Sequence, residues 1–240
     1  MNIFITGTDT SVGKTFIAAG LAALMQSLGY KSGVYKPFQT GAEDKNGFLL
    51  ASDLAYVKKV DAFVETSCTY IMKPAVAPAL AGEIDNIHFD INSIVRDYKM
   101  LNDKCELVIT EGEGGLAMPV SSQYLMSDIV KFLNLPVVVV TRPDLGTINQ
   151  VLLTVNFAKQ LGLNVRGVVV NRYPQGTDDI AIRTLPRLIE EYSDTKVLGI
   201  IRDIEPFKTL TPGALIDTIL NSVDVEKIFE IAIPKLNMGV

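Results

Sequence analysis

A lysine followed by a threonine closes a glycine-containing stretch near the start of the chain, G-T-D-T-S-V-G-K-T, from Gly7 to Thr15. A short apolar run precedes this stretch and an amphipathic pattern follows it, so it joins a predicted strand to a predicted helix. Backbone N–H groups of such a loop, together with the positive end of the helix, attract a polyphosphate. We therefore expect Lys14 to reach the outer phosphates and the Thr15 hydroxyl to bind Mg²⁺.

The spacing of this loop departs from the common phosphate-binding pattern. The first glycine of G-x-x-x-x-G-K-[ST] would fall at Thr8, whereas this chain has its glycine one position earlier, at Gly7. A glycine-rich turn that merely joins a strand to a helix is the alternative interpretation. The position of G-K-T between a strand and a helix favours the phosphate-binding one.

A second lysine, Lys36, ends the next predicted strand (31–35) and is followed by a proline. The carboxyl ends of parallel strands open on one crevice, so Lys36 is expected to face the same space as the phosphate loop. Taken alone, it would be interpreted as a surface lysine at a strand end. The polar residues beside it, Gln39, Thr40 and Gly41, favour a lysine of a functional site.

Carboxylates occupy two further places where they could support a metal. The predicted strand 106–110 runs into E-G-E-G-G, which puts Glu111 and Glu113 where open α/β sheets bind ligands and where phosphate-loop proteins support Mg²⁺. A tight turn with a solvated glutamate is the alternative. Asp53 lies in the first turn of a predicted helix over 52–60, which is typical of a cap or a dipole partner. Its position alone leaves its role open.

Predicted strands alternate with predicted helices along the chain. We expect strands at about 3–5, 31–35, 106–110, 136–140, 165–170 and 197–201, and helices at about 17–28, 52–60, 90–101, 128–133, 148–160, 180–192 and 215–231. Residues 43–47 are expected to form a polar turn, 66–82 an irregular loop across the face of the site, and the end after 234 a frayed tail. With no linker and no internal repeat, this order predicts an α/β fold with a doubly wound, mostly parallel sheet and helices on both faces. The fold would be P-loop NTPase-like, with a single domain over 1–240 and a helical C-terminal extension over about 212–240.

The composition limits the classes of function. A chain of 240 residues with 48% hydrophobic and 20% charged residues is globular, and its net charge of −5 argues against a nucleic-acid-binding surface. Its two cysteines and one histidine form no metal-binding or disulfide pattern. The first apolar run ends at Thr6, and no run approaches the roughly 18 residues of a membrane helix. We therefore expect no signal peptide, no membrane partner and a cytoplasmic location.

The combination GTDTSVGKT, YKPFQTG, TEGEGG, LGTIN and VVVNR, in this order, resembles the dethiobiotin synthetase family over the chain up to about residue 201. The resemblance implies a homodimeric ligase of biotin biosynthesis whose substrate site is shared across the dimer interface. Such an enzyme would convert 7,8-diaminononanoate, CO₂ and ATP to dethiobiotin, ADP and phosphate. The intermediates would be an N-carbamate and a carbamic-phosphoric anhydride.

The resemblance also implies roles for individual residues. The loop and the first helical turn would wrap the triphosphate, through Ser11, Val12, Gly13, Lys14, Thr15 and Phe16. The catalytic residues would be Lys36, Lys14 and Thr10, and the Mg²⁺ ligands would be Thr15, Asp53 and Glu111. The nucleotide phosphates would also be lined by Gly112, Glu113 and Gly114, and the base end would be formed by Asn171 and Arg172.

The substrate residues implied by the resemblance lie in two separate segments. Thr40 stands where the family has a small hydroxyl residue that touches the substrate. Leu145, Gly146 and Asn149 resemble a loop that reaches across the dimer, where Asn149 would contact the carboxylate tail of the partner's substrate.

Three places depart from the family pattern. Segment 73–79 lacks the Pro-His that commonly ends the substrate-side loop. After Gly199 the chain reads Ile200-Ile201-Arg202-Asp203, where members often carry a proline and an aromatic residue near the base, and Arg172 stands where an aspartate is frequent. These differences concern recognition of the base, and with it the preference for ATP, more than the reaction.

Other nucleotide-dependent classes fit the motifs less well. Partition and cell-division ATPases carry a second lysine five residues before the G-K-T lysine, where this chain has Asp9. A guanine-nucleotide switch would have Asn-Lys-x-Asp after a late strand, whereas this chain has Asn171-Arg172-Tyr173-Pro174. The corrinoid amidase family appends a glutaminase domain, which we do not expect after Ile231. A related ATP-dependent ligase remains as the alternative to the synthetase.

Overall fold

The computed structural model describes residues 1–204 and 210–233. Its strands are β1 (Ile3–Gly7), β2 (Ser32–Gln39), β3 (Glu43–Lys45), β4 (Phe48–Leu50), β5 (Glu65–Ile71), β6 (Leu107–Glu111), β7 (Val137–Thr141), β8 (Val165–Tyr173) and β9 (Val197–Arg202). Within the described residues, seven of them form one sheet in the order β5-β2-β6-β1-β7-β8-β9. Every strand pair of that sheet is parallel.

Helices cover both faces of this sheet. They are α1 (Lys14–Ser27), α2 (Ser52–Val60), α3 (Pro78–Asp85), α4 (Ile91–Asn102), α5 (Met126–Leu133), α6 (Thr147–Gln160), α7 (Ile180–Ser193), α8 (Pro212–Ser222) and α9 (Val225–Phe229). Apolar residues of α1, α2, α8 and α9 pack on one face of the sheet, and those of α3 to α7 pack on the other. Strand β7 shows why both layers are needed, because Val138 belongs to one core and Val139 to the other.

This architecture confirms the predicted doubly wound α/β class. Strand β1 lies between β6 and β7, so the glycine loop that follows β1 opens beside the carboxyl end of β6. Ligands of open α/β sheets bind in the crevice at these carboxyl ends. The fold therefore places the motifs that end β1, β2 and β6 at one edge of the sheet.

The prediction of an irregular loop over 66–82 was wrong. Residues 65–71 form the edge strand β5, which pairs in parallel with β2 from Gly33 opposite Glu65 to Gln39 opposite Ile71. Every residue of β5 is half-buried, so the strand lacks the alternation of buried and exposed residues that would have revealed it. Pro78 does not break structure here, because it occupies the first turn of α3, where a missing N–H costs no hydrogen bond.

Two boundaries also differ from the sequence-based expectation. The predicted polar turn over 43–47 is part of the β3–β4 hairpin, whose turn is Asn46-Gly47, both with positive φ. The predicted helical segment 215–231 is broken between α8 and α9. The break occurs because Val223 pairs with Gly199 and because the Asp224 side chain accepts a hydrogen bond from the backbone N–H of Lys227 to start α9.

The C-terminal helices belong to the core of the domain. Leu215, Ile219 and Ile228 are buried in the same cluster as the apolar face of α1. A Cβ at Gly20 of α1 would lie 2.5 Å from the Ile219 side chain, so this glycine permits the close approach of α8. The tail predicted after 234 lies outside the described residues. No helix among the described residues has the length and apolarity needed to cross a bilayer.

Candidate active site

The glycine loop ends in a backbone conformation suited to an anion. Ser11 and Gly13 have positive φ angles of 56° and 97°. Gly13 is the N-cap of α1, and no side chain caps the helix, so N–H groups of its first turn are left for a ligand. A Cβ at Gly13 would lie 2.1 Å from Nδ2 of Asn171. Both the left-handed backbone and the close approach therefore require glycine at this position.

Lys14 and Thr15 are held by groups of the protein that a bound nucleotide could replace. The buried Lys14 ammonium donates to the backbone carbonyl of Asp9 at 3.0 Å. The Thr15 hydroxyl donates to Oε1 of Glu111 at 2.7 Å. Burial lowers the pKa of Lys14 from its ordinary value, and the charges of Glu111 and Glu113 oppose that shift. Lys14 is therefore a partly desolvated cation whose ammonium is hydrogen-bonded to the backbone of its own loop.

Lys36 and Glu111 are the most enclosed charges of the site, each with 1% of its side chain exposed. Nζ of Lys36 lies 2.5 Å from Asp53 Oδ2, 3.3 Å from Glu111 Oε1 and 3.5 Å from Glu113 Oε2. Burial by itself lowers the pKa of Lys36, but the charges of Glu111, Glu113 and Asp53 outweigh it and raise that pKa above its ordinary value. Lys36 is therefore a firmly charged lysine that three carboxylates surround.

Asp53 reaches Lys36 because α2 is tied to the end of β2. The side chain of Gln39 donates to the backbone carbonyl of Thr40 at 3.0 Å and accepts from the backbone N–H of Asp53 at 3.3 Å. The N-cap of α2 is Ala51, which has no side-chain capping bond. The carboxylate of Asp53 accepts a hydrogen bond from Lys36 and does not cap the helix.

The glycines of E-G-E-G-G let the turn after β6 pack against the phosphate loop. The backbone N–H of Gly112 donates to Ile5, and that of Gly7 donates to Gly114. A Cβ at Gly112 would lie 2.7 Å from the Phe4 ring, and Gly114 has a positive φ of 64°. The turn is thus fixed on both sides, which fixes the position of Glu113 as well.

A cavity of about 720 Å³ lies over these groups. The predicted site residues that line it are Thr10, Ser11, Gly13, Lys14, Thr15, Phe16, Thr40, Asp53, Glu111, Glu113, Asn171 and Arg172. Val12 is buried beneath the loop in the core, and Lys36 lies behind its three carboxylates rather than on the cavity wall. The structure therefore brings together the phosphate loop, the metal-ligand candidates and the base-end candidates.

Further residues of the cavity wall were not among the predicted site residues. They are Gln39, Gly41, Glu43, Ser52, Tyr56, Ala75, Arg202, Asp203 and Ile204. Tyr56 could have been found, because it follows Asp53 by three residues on the same helix and so shares its face. Arg202 and Asp203 could also have been found as polar residues at the carboxyl end of a parallel strand. Ala75 lies in segment 73–79, which resembles the substrate-side loop, although its own side chain offers no chemistry that would have indicated it.

Asn171 and Arg172 form part of the cavity wall at the end of β8. The buried Asn171 amide donates from Nδ2 to the backbone carbonyl of Val12 at 3.0 Å, which ties β8 to the phosphate loop. The side-chain carbonyl of Asn171 is not used in that bond. Arg172 has a positive φ of 55°.

Leu145, Gly146 and Asn149 do not line this cavity. Leu145 is 98% exposed, Gly146 is the N-cap of α6, and Asn149 is exposed on the first turns of that helix. Leu153, one turn further along α6, is 63% exposed. Leu145, Asn149 and Leu153 therefore form an exposed surface of segment 145–153 that is separate from the cavity.

The donor set around Glu111 fits a hard divalent cation such as Mg²⁺. It offers the Thr15 hydroxyl and the carboxylates of Asp53 and Glu111, which are oxygen ligands. Oε2 of Glu111 and Oε2 of Glu113 are buried without a hydrogen-bond partner among the described residues. No three His, Cys, Asp or Glu residues of 1–204 and 210–233 are grouped to hold a metal by themselves. Mg²⁺ commonly takes only one or two carboxylates and completes its shell with phosphate and water.

Comparison with known proteins connects this site to one family. Residues 1–209 match a family model described as an AAA domain. A protein of Bacillus licheniformis named ATP-dependent dethiobiotin synthetase BioD is 38% identical over 235 residues, covering 94% of each chain. Proteins of the same name from Thermodesulfovibrio yellowstonii and Methanocaldococcus jannaschii are 33% and 34% identical, covering 95% and 86% of this chain and 98% and 96% of the relatives.

Solved structures show the same fold at much lower identity. The cell division ATPase MinD of Pyrococcus furiosus superimposes with a TM-score of 0.62 at 19% identity, over 97% of this chain and 100% of that one. A ParA family ATPase from Chlorobium tepidum gives 0.53 at 15% identity, over 96% and 93% of the two chains. These likenesses show a P-loop NTPase-like fold and leave function to the sequence relationship. By that relationship, the chain belongs to the family of ATP-dependent dethiobiotin synthetases.

Proposed function

We propose that this protein is a ligase that converts 7,8-diaminononanoate and CO₂ to dethiobiotin with Mg²⁺ and ATP, releasing ADP and phosphate. The observation that carries this proposal is the buried Lys36, held within 3.5 Å of Asp53, Glu111 and Glu113, beside a phosphate loop that opens on the same cavity. Family membership supplies the identity of the substrate. The geometry supports a phosphoryl transfer to an anionic acceptor.

The proposed reaction begins with an N-carbamate formed from one substrate amine and CO₂. A carbamate oxygen attacks the γ-phosphorus of ATP, the bond to ADP breaks, and a carbamic-phosphoric anhydride forms. The neighbouring amine then attacks the carbonyl carbon, loses a proton and displaces phosphate, which closes the ureido ring. The nucleophile and the electrophile belong to one molecule, so positioning supplies much of the acceleration.

Two lysines would lower the repulsion between the carbamate and the γ-phosphate. Lys14 and Lys36 are buried cations of this site, and Thr10 borders the same space on the cavity wall. Preformed charges in a desolvated site stabilise charge that develops in the transition state. Mg²⁺, held by Thr15, Asp53 and Glu111, would neutralise further phosphate charge.

The remaining predicted residues divide between the nucleotide and the substrate. The loop N–H groups of Ser11 to Phe16 and the turn at Gly112, Glu113 and Gly114 would surround the phosphates, and Thr40 would touch the substrate. The free side-chain carbonyl of Asn171 could accept a hydrogen bond from the adenine amino group, beside Arg172. The charged residues Arg202 and Asp203 also line this end, so base selection is proposed to differ in detail from that of other members.

We further propose a homodimer in which segment 145–153 completes the substrate site of the partner. Asn149 and Leu153 lie one turn apart on α6 and are exposed, as is Leu145 just before the helix, so they make a partly apolar surface that no element of the described residues covers. Asn149 of one protomer would then bind the carboxylate tail of the substrate held by the other. Because the reaction consumes ATP, we place it in the cytoplasm, where the free thiols Cys68 and Cys105 would stay reduced.

The direct test incubates the purified protein with diaminononanoate, bicarbonate and Mg-ATP and measures dethiobiotin by mass spectrometry. We expect dethiobiotin and ADP to form in equal amounts, and neither to form without diaminononanoate. ATP hydrolysis that does not respond to diaminononanoate would contradict the proposal. That result would favour an ATPase, which is what the structural neighbours are named.

A further inference from the structure

Lys36 is shielded from the space in which it is proposed to act. It has 1% of its side chain exposed, and Asp53, Glu111 and Glu113 stand between its ammonium and the cavity. A role at the transferred phosphoryl group, which rests on the proposed function, requires this arrangement to change when the nucleotide binds.

Two of the three carboxylates are also the proposed Mg²⁺ ligands. A divalent cation at Thr15, Asp53 and Glu111 would offset the negative charge of two of these carboxylates, and its own charge would repel the ammonium. Oε1 of Glu111 already accepts from both Thr15 and Lys36, at 2.7 and 3.3 Å. Loading the metal would therefore weaken the attraction of Lys36 to two of its three anionic partners.

Glu113 differs from the other two carboxylates in its surroundings. Its Oε2 is buried and lies 3.5 Å from Lys36 Nζ, while 21% of its side chain is exposed at the cavity. Unlike Glu111, it has no hydrogen bond to the Thr15 hydroxyl. The glycines on both sides of it fix its turn against the phosphate loop. Glu113 thus connects the buried lysine to the cavity from a fixed position.

We propose that Glu113 is a positioning residue that keeps Lys36 directed at the reacting phosphoryl group when Mg²⁺ and nucleotide engage Asp53 and Glu111. Glu113 acts through Lys36 and does not bind the metal. The ammonium needs one anionic partner to stay in a buried place. A single remaining carboxylate leaves its other donors for the substrate oxygens.

The kinetic test uses Glu113→Gln, which keeps the shape of the side chain, and Glu113→Asp, which keeps its charge. We expect Glu113→Gln to lower kcat about 10- to 100-fold, as loss of an orienting partner does, with unchanged KM for ATP and unchanged Mg²⁺ requirement. Glu113→Asp should recover part of the loss. The matched control is Glu191→Gln, which removes one exposed carboxylate on α7.

A second readout does not depend on turnover. Reductive methylation of Lys36, quantified by peptide mass spectrometry with and without Mg-ADP, reports how the amine is held. In the wild type and in Glu191→Gln we expect slow methylation in both states. In Glu113→Gln we expect Mg-ADP to accelerate methylation, because the metal then offsets the charge of both carboxylates that remain beside Lys36.

The outcomes separate this inference from the proposed function. A Glu113→Gln protein with wild-type kcat and slow methylation in Mg-ADP would overturn the positioning role. A raised Mg²⁺ requirement in Glu113→Gln would also overturn it, because Glu113 would then be a metal ligand. If the wild type makes no dethiobiotin but the methylation pattern is as expected, the proposed function fails while the hold of Glu113 on Lys36 stands.

Discussion

Two groups of predicted site residues have opposite surroundings in this molecule. In the group around Lys36, the lysine and Glu111 are buried, and the charges are paired within 3.5 Å. In segment 145–153 the predicted substrate residues are exposed, with Leu145 at 98%, and none of them lies on the cavity wall. One half of the proposed site is therefore completed by the folding of a single chain. The other half is proposed to act on a substrate held by a second protomer.

The physical reason is the free-energy cost of leaving the side chains of each group without partners. A buried ammonium without a carboxylate is strongly unfavourable, so a fold that buries Lys36 must also bring a negative charge to it, and this fold brings Asp53, Glu111 and Glu113. Exposed leucines and an exposed asparagine cost little in water. Folding therefore fixes the first group and leaves the second free for an interface.

The largest effect is expected from Lys36→Ala. This change removes the cation that would stabilise the transferred phosphoryl group, so kcat for dethiobiotin formation should fall at least about 10²- to 10³-fold. Binding of Mg-ATP, measured by calorimetry, should survive because the phosphate loop is intact. Lys131→Ala, at an exposed lysine of α5, is the control. Full activity in Lys36→Ala would mean that the buried group is structural.

Asn149→Ala tests the exposed half of the site. If Asn149 bonds the substrate carboxylate, its loss should raise KM for diaminononanoate about 10- to 100-fold, the equivalent of one hydrogen bond to a charged group. The affinity for ATP should not change. An unaltered KM would remove segment 145–153 from the substrate site.

Mixing the Lys36→Ala and Asn149→Ala proteins tests whether one site takes residues from both protomers. In a shared site, a mixed dimer has one site with an intact Lys36 group from one protomer and an intact Asn149 from the other. Activity should therefore exceed that of either variant alone. A mixture no more active than the average of its components would show that each site is built from one chain.

Asp53→Asn tests whether the buried group holds the metal. Loss of one carboxylate ligand should raise the Mg²⁺ concentration needed for half-maximal activity about 10- to 100-fold. Asp61→Asn, at the other end of α2, should leave it unchanged. If Asp53→Asn also leaves the Mg²⁺ requirement unchanged, Asp53 serves only as the partner of Lys36.

The smallest effect is expected far from both regions, at the N-cap of α9. Asp224→Ala should lower the free energy of unfolding by about 1 kcal/mol, the usual value of a lost cap, without changing kcat or KM. The hydrogen bond from the Lys227 side chain lowers the pKa of Asp224 below its ordinary value of 3.8. Because the folded pKa is the lower one, the cap stabilises above pH 3.8, and its contribution is lost as the pH falls through the folded pKa.

Urea unfolding of both proteins from pH 7 to pH 3 measures this difference. The gap between wild type and Asp224→Ala should be constant at neutral pH and should close in acid. A gap that stays open below the folded pKa would show that the carboxylate charge does not contribute. Changed kinetics in this variant would mean that the C-terminal helices influence the site.

The amino-acid sequence was sufficient to predict the fold class, the phosphate loop and most of the residues around it. Each strand–loop–helix motif is local, and the rule that parallel strands end at one edge converts local motifs into a common crevice. The edge strand β5 could not be predicted from local motifs, because its residues are uniformly half-buried and carry no periodic signal.

The contacts between the charged side chains could be known only from the tertiary structure. It showed that Asp53 bonds Lys36 rather than capping α2, and that Glu113 is a third partner of that lysine. It also showed that Leu145 and Asn149 stand apart from the cavity of their own chain. Such contacts depend on how neighbouring strands and helices are placed, over separations of 17 and 75 residues for the two hydrogen bonds of Lys36. No local pattern encodes those distances, because burial and pairing arise only when the sheet is assembled.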